Sequence, residues 1–135
     1  MSVATLTASV PSVEQHIRAG RIVDGMTFNQ RVWALTARIP RGRVTTYGEL
    51  AKALGSPGAS RAVGNALNRN PYAPEVPCHR VVGSSGDLTG FAGGLEKKRR
   101  MLEEEGVGLI SESRVSVSNI YRFDPPVCSE ASLFG

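Results

Sequence analysis

The stretch Tyr47-Gly48-Glu49-Leu50-Ala51-Lys52-Ala53-Leu54-Gly55-Ser56-Pro57-Gly58-Ala59-Ser60-Arg61-Ala62-Val63-Gly64-Asn65-Ala66-Leu67 decides the fold. Leu50, Ala51 and Leu54 share one helical face, which predicts a helix over 47–54. Gly55 to Gly58 is a tight break, because glycine and proline punctuate regular structure. Ser60 is positioned to cap a further helix running to about Arg69, with Val63, Ala66 and Leu67 facing inward. Two short helices across a glycine-containing turn are a helix-turn-helix candidate. On its own the pattern equally describes a helical pair that binds no nucleic acid.

Working outward, Phe28, Val32, Leu35 and Ile39 recur at spacings of four and three, predicting a helix from Thr27 that Pro40 stops. Val44-Thr45-Thr46 is β-like. Towards the N-terminus, Ser12 and Gln15 fit a capping box for a short helix from Val13 to about Ala19, closed by Gly20. Residues 1–26 are expected to be a leader containing that helix. On the other side, Asn70-Pro71 and Pro74-Glu75-Val76-Pro77 form a rigid connection into Val81-Val82, a short strand. Residues 83–94 hold five glycines and read as a loop of special backbone geometry. A last helix is expected over 95–105, closed by Gly106. Alternation of Val115, Val117, Ile120 and Phe123 predicts a hairpin or strand over 114–123. A disordered tail is expected for 124–135.

The expected fold is therefore mainly α with minor β, a winged-helix-like (helix-turn-helix) domain over 27–123. The length of 135 residues fits one domain, which can bury roughly two thirds of its unfolded surface. Sixteen Lys and Arg against 12 Asp and Glu give a net charge of +4, which permits a polyanionic partner without demanding one. Two cysteines, Cys78 and Cys128, are too few for a secreted disulfide framework. No apolar run reaches the roughly 18 residues of a membrane span, and Met1 to Val10 lacks the pattern of a signal peptide. Histidine and cysteine show no metal-ligand spacing, so no metal is expected.

Chemistry concentrates in Pro77-Cys78-His79-Arg80-Val81. A thiol reacts as thiolate, and a free cysteine titrates near about 8.5, so a neighbour has to take its proton. His79 is placed to do so, directly or through one water, if a carboxylate orients it. The alternative is that Cys78 is a small buried hydrophobe, as most free cysteines are.

In context these residues resemble the O6-alkylguanine-DNA alkyltransferases. The run from Pro77 to Val82 matches that family's acceptor-cysteine motif. Arg61 to Leu67 with Asn70-Pro71 looks like its recognition helix and hinge, and Ile39 to Ala51 like its lead into the helix-turn-helix. Gly93-Gly94-Leu95, Lys97-Lys98, Leu102 and Glu104-Glu105-Gly106 resemble its closing helix. The resemblance runs from about Phe28 to Val107.

It implies direct reversal of DNA damage: irreversible transfer of an alkyl group from O6-alkylguanine to Cys78, as a single-turnover suicide methyltransferase. Cys78 would be the acceptor, His79 the base acting through a water, and Glu105 the group that fixes its tautomer. Asn70 would brace the turn before the cysteine loop. Arg61 would enter the duplex and fill the space of the extruded guanine, and Tyr47 would crowd the target phosphate and contact the base. Ala62, Gly64 and Asn65 would lie along the DNA on the same helix. Carbonyls of Cys78 and Val81 would read the guanine amino group, the N–H of Ala92 would lie near O6, and Ser84, Ser85 and Phe91 would wall the pocket. Lys97, Lys98, Arg99 and Arg100 are expected to be a solvated helix face, with phosphate contacts.

The resemblance further implies double-stranded DNA containing O6-alkylguanine as partner, no cofactor, no membrane and a monomer. The expected place is cytoplasmic, with the nucleoid or nucleus as the site of action. Two features depart from the family pattern. Phe91 stands where many members have Tyr, and about 26 residues precede the match, too few for the usual N-terminal domain. A non-catalytic damage sensor of the alkyltransferase-like kind is the alternative function; those proteins typically lack the cysteine, so Cys78 argues against it. A plain winged-helix regulator leaves the Pro77–Arg80 motif and the glycine loop without a use.

Overall fold

The computed structural model describes residues 10–89, 91, 94–118 and 120–123. Its helices are α1 (Val13–Arg18), α2 (Phe28–Thr36), α3 (Tyr47–Ala53), α4 (Ser60–Asn68) and α5 (Leu95–Glu104). Four short strands accompany them: β1 (Thr45–Thr46), β2 (Val81–Val82), β3 (Leu109–Ser111) and β4 (Arg114–Val115). A 3-10 turn, Cys78–Arg80, leads directly into β2. The architecture is mainly helical, with the helix-turn-helix pair α3–α4 at its centre.

Each helix start has a local cause. Ser12 and Gln15 form the reciprocal capping box of α1, and Thr27 and Gln30 form a second at α2. Thr46 caps α3 by accepting the Glu49 N–H at 3.1 Å. α4 begins differently from the sequence expectation: Ala59 is its N-cap, and Ser60 is the first helical residue and makes no capping bond. The Ala59 N–H is used by the preceding turn, donating to the Ser56 carbonyl at 2.9 Å, so that turn runs straight into the helix. α2 stops at Thr36, before Pro40, and Ile39 lies in a following turn where its N–H donates to Thr36.

The main core joins α2, α3 and α4 through Val32, Leu35, Leu50, Ala51, Val63 and Ala66, all at 0% exposure. At about 25 cal/mol per Å2 of apolar area, each large side chain buried there contributes roughly 1.5–3 kcal/mol. The Trp33 indole N–H donates to the Ala66 carbonyl at 2.7 Å, fixing α2 against α4. A second cluster, Val44, Val82, Leu88, Leu102 and Val115, seats α5 and the β3–β4 hairpin. A third, Ile17, Met26 and Val76, docks α1 onto the connection before Cys78.

β1 and β2 pair in parallel, Thr45 opposite Val81 and Thr46 opposite Val82. β3 and β4 form an antiparallel hairpin. The expected strand over 114–123 is thus shortened and moved: Arg114–Val115 pair backwards with Leu109–Ser111, and residues 116–118 and 120–123 form no strand. The alternating apolar residues there serve two cores. Val115 belongs to the second cluster, whereas Phe123 packs into the first. Gly86 has no alternative at its position, because φ is +89° and a Cβ would meet the Val115 carbonyl oxygen at 2.1 Å. The expected tail, 124–135, lies outside the described residues.

Candidate functional site

The path from α4 to Cys78 is held by one side chain. Asn70 donates through Nδ2 to the Val76 carbonyl at 2.8 Å and accepts the Tyr72 N–H at 2.9 Å. The Val76 carbonyl also accepts the Cys78 N–H at 2.9 Å. Pro77 then starts the 3-10 turn, and the Val81 N–H closes onto the Cys78 carbonyl. The sulfur-bearing residue is half-buried, between a buried Pro77 and a buried His79.

His79 is 2% exposed, and its Nε2 lies 2.8 Å from Oε2 of Glu105. Arg80 grips the same carboxylate with two donors, Nε to Oε1 at 2.9 Å and Nη2 to Oε2 at 2.8 Å. Its third arm donates to the Ile39 carbonyl at 2.7 Å. Glu105 sits at the C-terminal end of α5, where the helix dipole disfavours an anion. Burial would also raise its pKa. The hydrogen bonds from Arg80 and His79 outweigh burial and hold the carboxyl down at about 2. Glu105 is therefore an acceptor, His79 carries its hydrogen on Nε2, and Nδ1 keeps a lone pair. Burial lowers the pKa of His79 below 6.5, against the pull of Glu105, so the ring is a neutral base at pH 7.

An open cavity of about 350 Å3 is lined by Tyr47, Ser60, Arg61, Gly64, Asn65, Asn68 and Thr89, and by neither Cys78 nor His79. Arg61, Ala62 and Asn65 are exposed along α4, opposite its buried face. Gly64 faces the Tyr47 ring, where a Cβ would stand 3.9 Å away. The Tyr47 hydroxyl donates to the Thr89 carbonyl at 3.0 Å. Burial raises the Tyr47 pKa, the Thr89 bond opposes this, and Cys78 adds to it.

Ser84, Ser85, Val81 and Phe91 are not among the residues that line this cavity. Ser84 and Ser85 are exposed in the Gly83–Gly86 turn and do not line the cavity, because that turn is bonded back onto β4. Val81 is fully buried, and its carbonyl accepts a bond from Lys98 at 2.7 Å. Phe91 is half-buried, with its ring 6.0 Å from the Lys98 ammonium. Ala92 lies outside the described residues.

The solvated face expected for 97–100 holds for Lys97 and Arg100 but not for Lys98, which is 1% exposed. Its spacing of four from buried Leu102 puts it on the inner face of α5, a signal present in the sequence. Arg80 and Thr89 are also site residues to which the sequence reading gave no role. Among the described residues no cluster of His, Cys, Asp and Glu has the form of a metal site, and no helix is long and apolar enough to cross a membrane.

Cys78 is followed in the chain by a buried neutral imidazole whose Nε2 is committed to a carboxylate. Arg61 and Tyr47 border the open cavity along α4.

Comparison with known proteins gives three kinds of match. The model of the family described as 6-O-methylguanine DNA methyltransferase, DNA binding domain, matches residues 27–107. The methylated-DNA–protein-cysteine methyltransferase of Mycobacterium tuberculosis is 54% identical over 81 residues, 60% of this chain and 49% of that protein. The protein of that name from Methanosarcina acetivorans is 54% identical over 83 residues, 62% of this chain and 53% of its own length. The chain thus spans about half the length of the curated relatives it matches.

Among solved structures, M. tuberculosis OGT in complex with DNA superposes with a TM-score of 0.58 at 44% identity, covering 77% of this chain and 65% of that one. S. pombe Atl1 in complex with damaged DNA containing O6-carboxymethylguanine gives 0.61 at 31% identity, covering 71% of this chain and 95% of its own.

Proposed function

This chain belongs to the 6-O-methylguanine DNA methyltransferase family, and from that premise we propose that it repairs DNA by moving an alkyl group from O6-alkylguanine to its own Cys78. The observation that carries the reading is the His79–Glu105 bond beside Cys78. It leaves His79 Nδ1 as a base of the right tautomer, next to the thiol in the chain. His79 takes the thiol proton through a water. The sulfur attacks the alkyl carbon, a C–S bond forms, and the C–O bond breaks with its electron pair passing to the guanine. The base recovers a proton and is restored. The thioether does not leave again, so each chain turns over once. Nucleophile and base are both side chains, so the chemistry calls for no cofactor.

The damaged oxygen lies inside a stacked duplex, so the nucleotide has to be extruded, at a cost of a few kcal/mol. Arg61 fills the vacated space as a wedge, and Tyr47 crowds the phosphate and contacts the base. Ala62, Gly64 and Asn65 present small or polar surface that lets α4 approach a groove. Asn70 ties the end of α4 to Val76 and so keeps Cys78 in register with the DNA-facing helix. Duplex DNA carrying O6-alkylguanine is the partner, met by a monomer in the cytoplasm, at the nucleoid or in the nucleus.

Mixing the protein with a duplex containing O6-methylguanine, followed by intact mass and peptide mapping, tests the reading. One added methyl group on Cys78, and at most one per chain, is the expected result. Cys78→Ser abolishes the gain and keeps DNA binding; transfer that survives it removes Cys78 as acceptor. The match to Atl1 favours a second reading, recognition of the damage without transfer. Selective binding of the damaged duplex with no mass gain decides for it.

A further inference from the structure

The family match begins at residue 27, yet the path into Cys78 is seated on residues that precede it. Ile17 of α1, Met26 and Val76 form one buried cluster, with Ile17 and Val76 at 0% exposure. Tyr72 and Trp33, whose rings meet edge to face at 5.8 Å, pack against it. The chain neighbours of Ile17 and Val76 meet as well: Arg18 pairs with Glu75 and stands 5.3 Å over the Tyr72 ring. Beyond the end of α1, the Gly20 carbonyl accepts a bond from Arg38 Nε at 2.6 Å. The segment is therefore fixed on one side to the residues after α2 and on the other to the connection before Cys78.

Val76 is where this cluster meets the reactive loop. Its N–H donates to the Tyr72 carbonyl at 3.0 Å. Its carbonyl accepts both Asn70 Nδ2 at 2.8 Å and the Cys78 N–H at 2.9 Å. A displacement of Val76 thus moves the Cys78 backbone and stretches the Asn70 bond together. Those bonds set the direction of the Val76 carbonyl, and the apolar seat sets its depth. Ile17 and Met26 are the other buried members of that seat, so truncating Ile17 leaves a void that its surroundings fill only in part.

We propose that Ile17 is a positioning residue for Cys78: packed with Met26 in the cluster that seats Val76, it sets where the Val76 carbonyl, and with it the Cys78 N–H, lies relative to the end of α4. The proposal rests on the reading of Cys78 as the reactive thiol. It gives α1 a part in the transfer through packing alone, since no side chain of α1 lines the cavity on α4.

Two measurements test this on the full chain, with circular dichroism as the check on folding. In the first, single-turnover transfer at saturating damaged duplex is compared in Ile17→Ala, Ile17→Val and Val115→Ala. Val115, also at 0% exposure, lies in the second cluster, so its truncation lowers stability away from the path into Cys78. Ile17→Ala is expected to transfer about tenfold more slowly, part of the roughly 10²-fold that a 1 Å misplacement costs, with its affinity for the duplex unchanged. Ile17→Val keeps most of the rate, and Val115→Ala keeps all of it. A folded Ile17→Ala that transfers at full rate overturns the proposal. Equal slowing in Val115→Ala also overturns it, because the effect is then one of stability.

The second measurement needs no DNA. The Cys78 amide signal in proton–nitrogen NMR reports the bond to the Val76 carbonyl. It is expected to shift in Ile17→Ala and, less far, in Ile17→Val, and to stay in place in Val115→Ala; an unmoved signal in the Ile17 variants overturns the proposal. Should Ile17→Ala not fold, the amide signal of Ile17→Val decides. A chain whose Cys78 amide moves but which gains no methyl from damaged duplex keeps this brace and loses the transfer. A methyl gain with an unmoved amide loses the brace alone.

Discussion

Glu105 and Glu75 both face arginines, and their surroundings make them different objects. Glu105 receives Arg80 and His79 with 8% of its side chain exposed. Glu75, on the connection before Cys78, receives Arg18 from α1 with 67% of its side chain exposed. Hydrogen bonding to Arg18 lowers the Glu75 pKa, as bonding to Arg80 helps lower that of Glu105. The direction is shared but the consequence is not. At Glu75 water is ready to replace the arginine, and salt screens what remains. At Glu105 nothing replaces it, so the carboxylate fixes both the Arg80 side chain and the His79 tautomer. The difference teaches that solvent access, rather than the presence of an ion pair, decides which carboxylate organises chemistry.

Removing the charge at Glu105 is the strongest way to break that contrast. Glu105→Gln leaves Arg80, 15% exposed, without its anion, and breaking a buried pair in this way costs about 3–5 kcal/mol. It also frees the His79 ring to take the other tautomer, so the transfer rate is expected to fall about 10²–10⁴-fold, the range general acid–base catalysis supplies. Denaturant unfolding and single-turnover kinetics read the two effects separately. Equal stability of the two proteins means that water already reaches Arg80, and the two glutamates are alike after all.

Proton linkage gives the next largest effect. The Glu105 carboxyl titrates at about 2 in the folded protein, below the ordinary 4.5. A lowered carboxyl pKa contributes stability above about 4.5, and that contribution is lost as pH falls towards 2. The stability gap between the unaltered protein and Glu105→Gln is therefore expected to narrow across that window. Lys98 has the opposite profile. Its pKa is about 8 folded and 10.5 unfolded, so its destabilising charge is present below 8 and is relieved as pH rises towards 10.5. Transfer should hold at pH 7 and decline in acid below 6.5, where His79 gains its proton. An acid limb centred above 6.5 indicates that the pull of Glu105 outweighs the burial of His79.

Solvent access and sequence distance together explain which features are legible in the sequence. The Ser12–Gln15 box, the α3–α4 break and the Pro77–Val81 motif are local, and each signal lies within a few residues of what it determines. His79 and Arg80 meet Glu105 across 26 and 25 positions, and Lys98 meets the Val81 carbonyl across 17, pairings that local spacing does not encode. A charged residue in a run of four cations reads as solvated by default, and for Lys98 the spacing from buried Leu102 is the contrary sign. The strand over 114–123 was misplaced for a related reason. Alternation marks burial on one side, but Val115 and Phe123 are buried in two different clusters.

Exposed charges sharpen the comparison from the other side. Arg61 has no carboxylate partner among the described residues, unlike Arg18. Arg61→Ala is expected to leave the unfolding midpoint in place and to slow transfer from duplex much more than transfer from the free alkylated base. Equal slowing on both substrates removes the wedge role.

The smallest effect belongs to Glu75→Gln. Arg18 keeps Glu14 as a partner, with its Nη2 at 2.9 Å from the carboxylate, and it keeps the Tyr72 ring at 5.3 Å. Ile17 and Val76, both at 0% exposure, hold α1 to the connection without it. No measurable change in transfer is therefore expected, and any loss of thermal stability seen at low salt should vanish at 1 M salt, where charges are screened within about 3 Å. If instead Glu75→Gln slows transfer at every salt concentration, the exposed pair is setting the path of the chain into Cys78, and solvent access has ceased to separate the two glutamates.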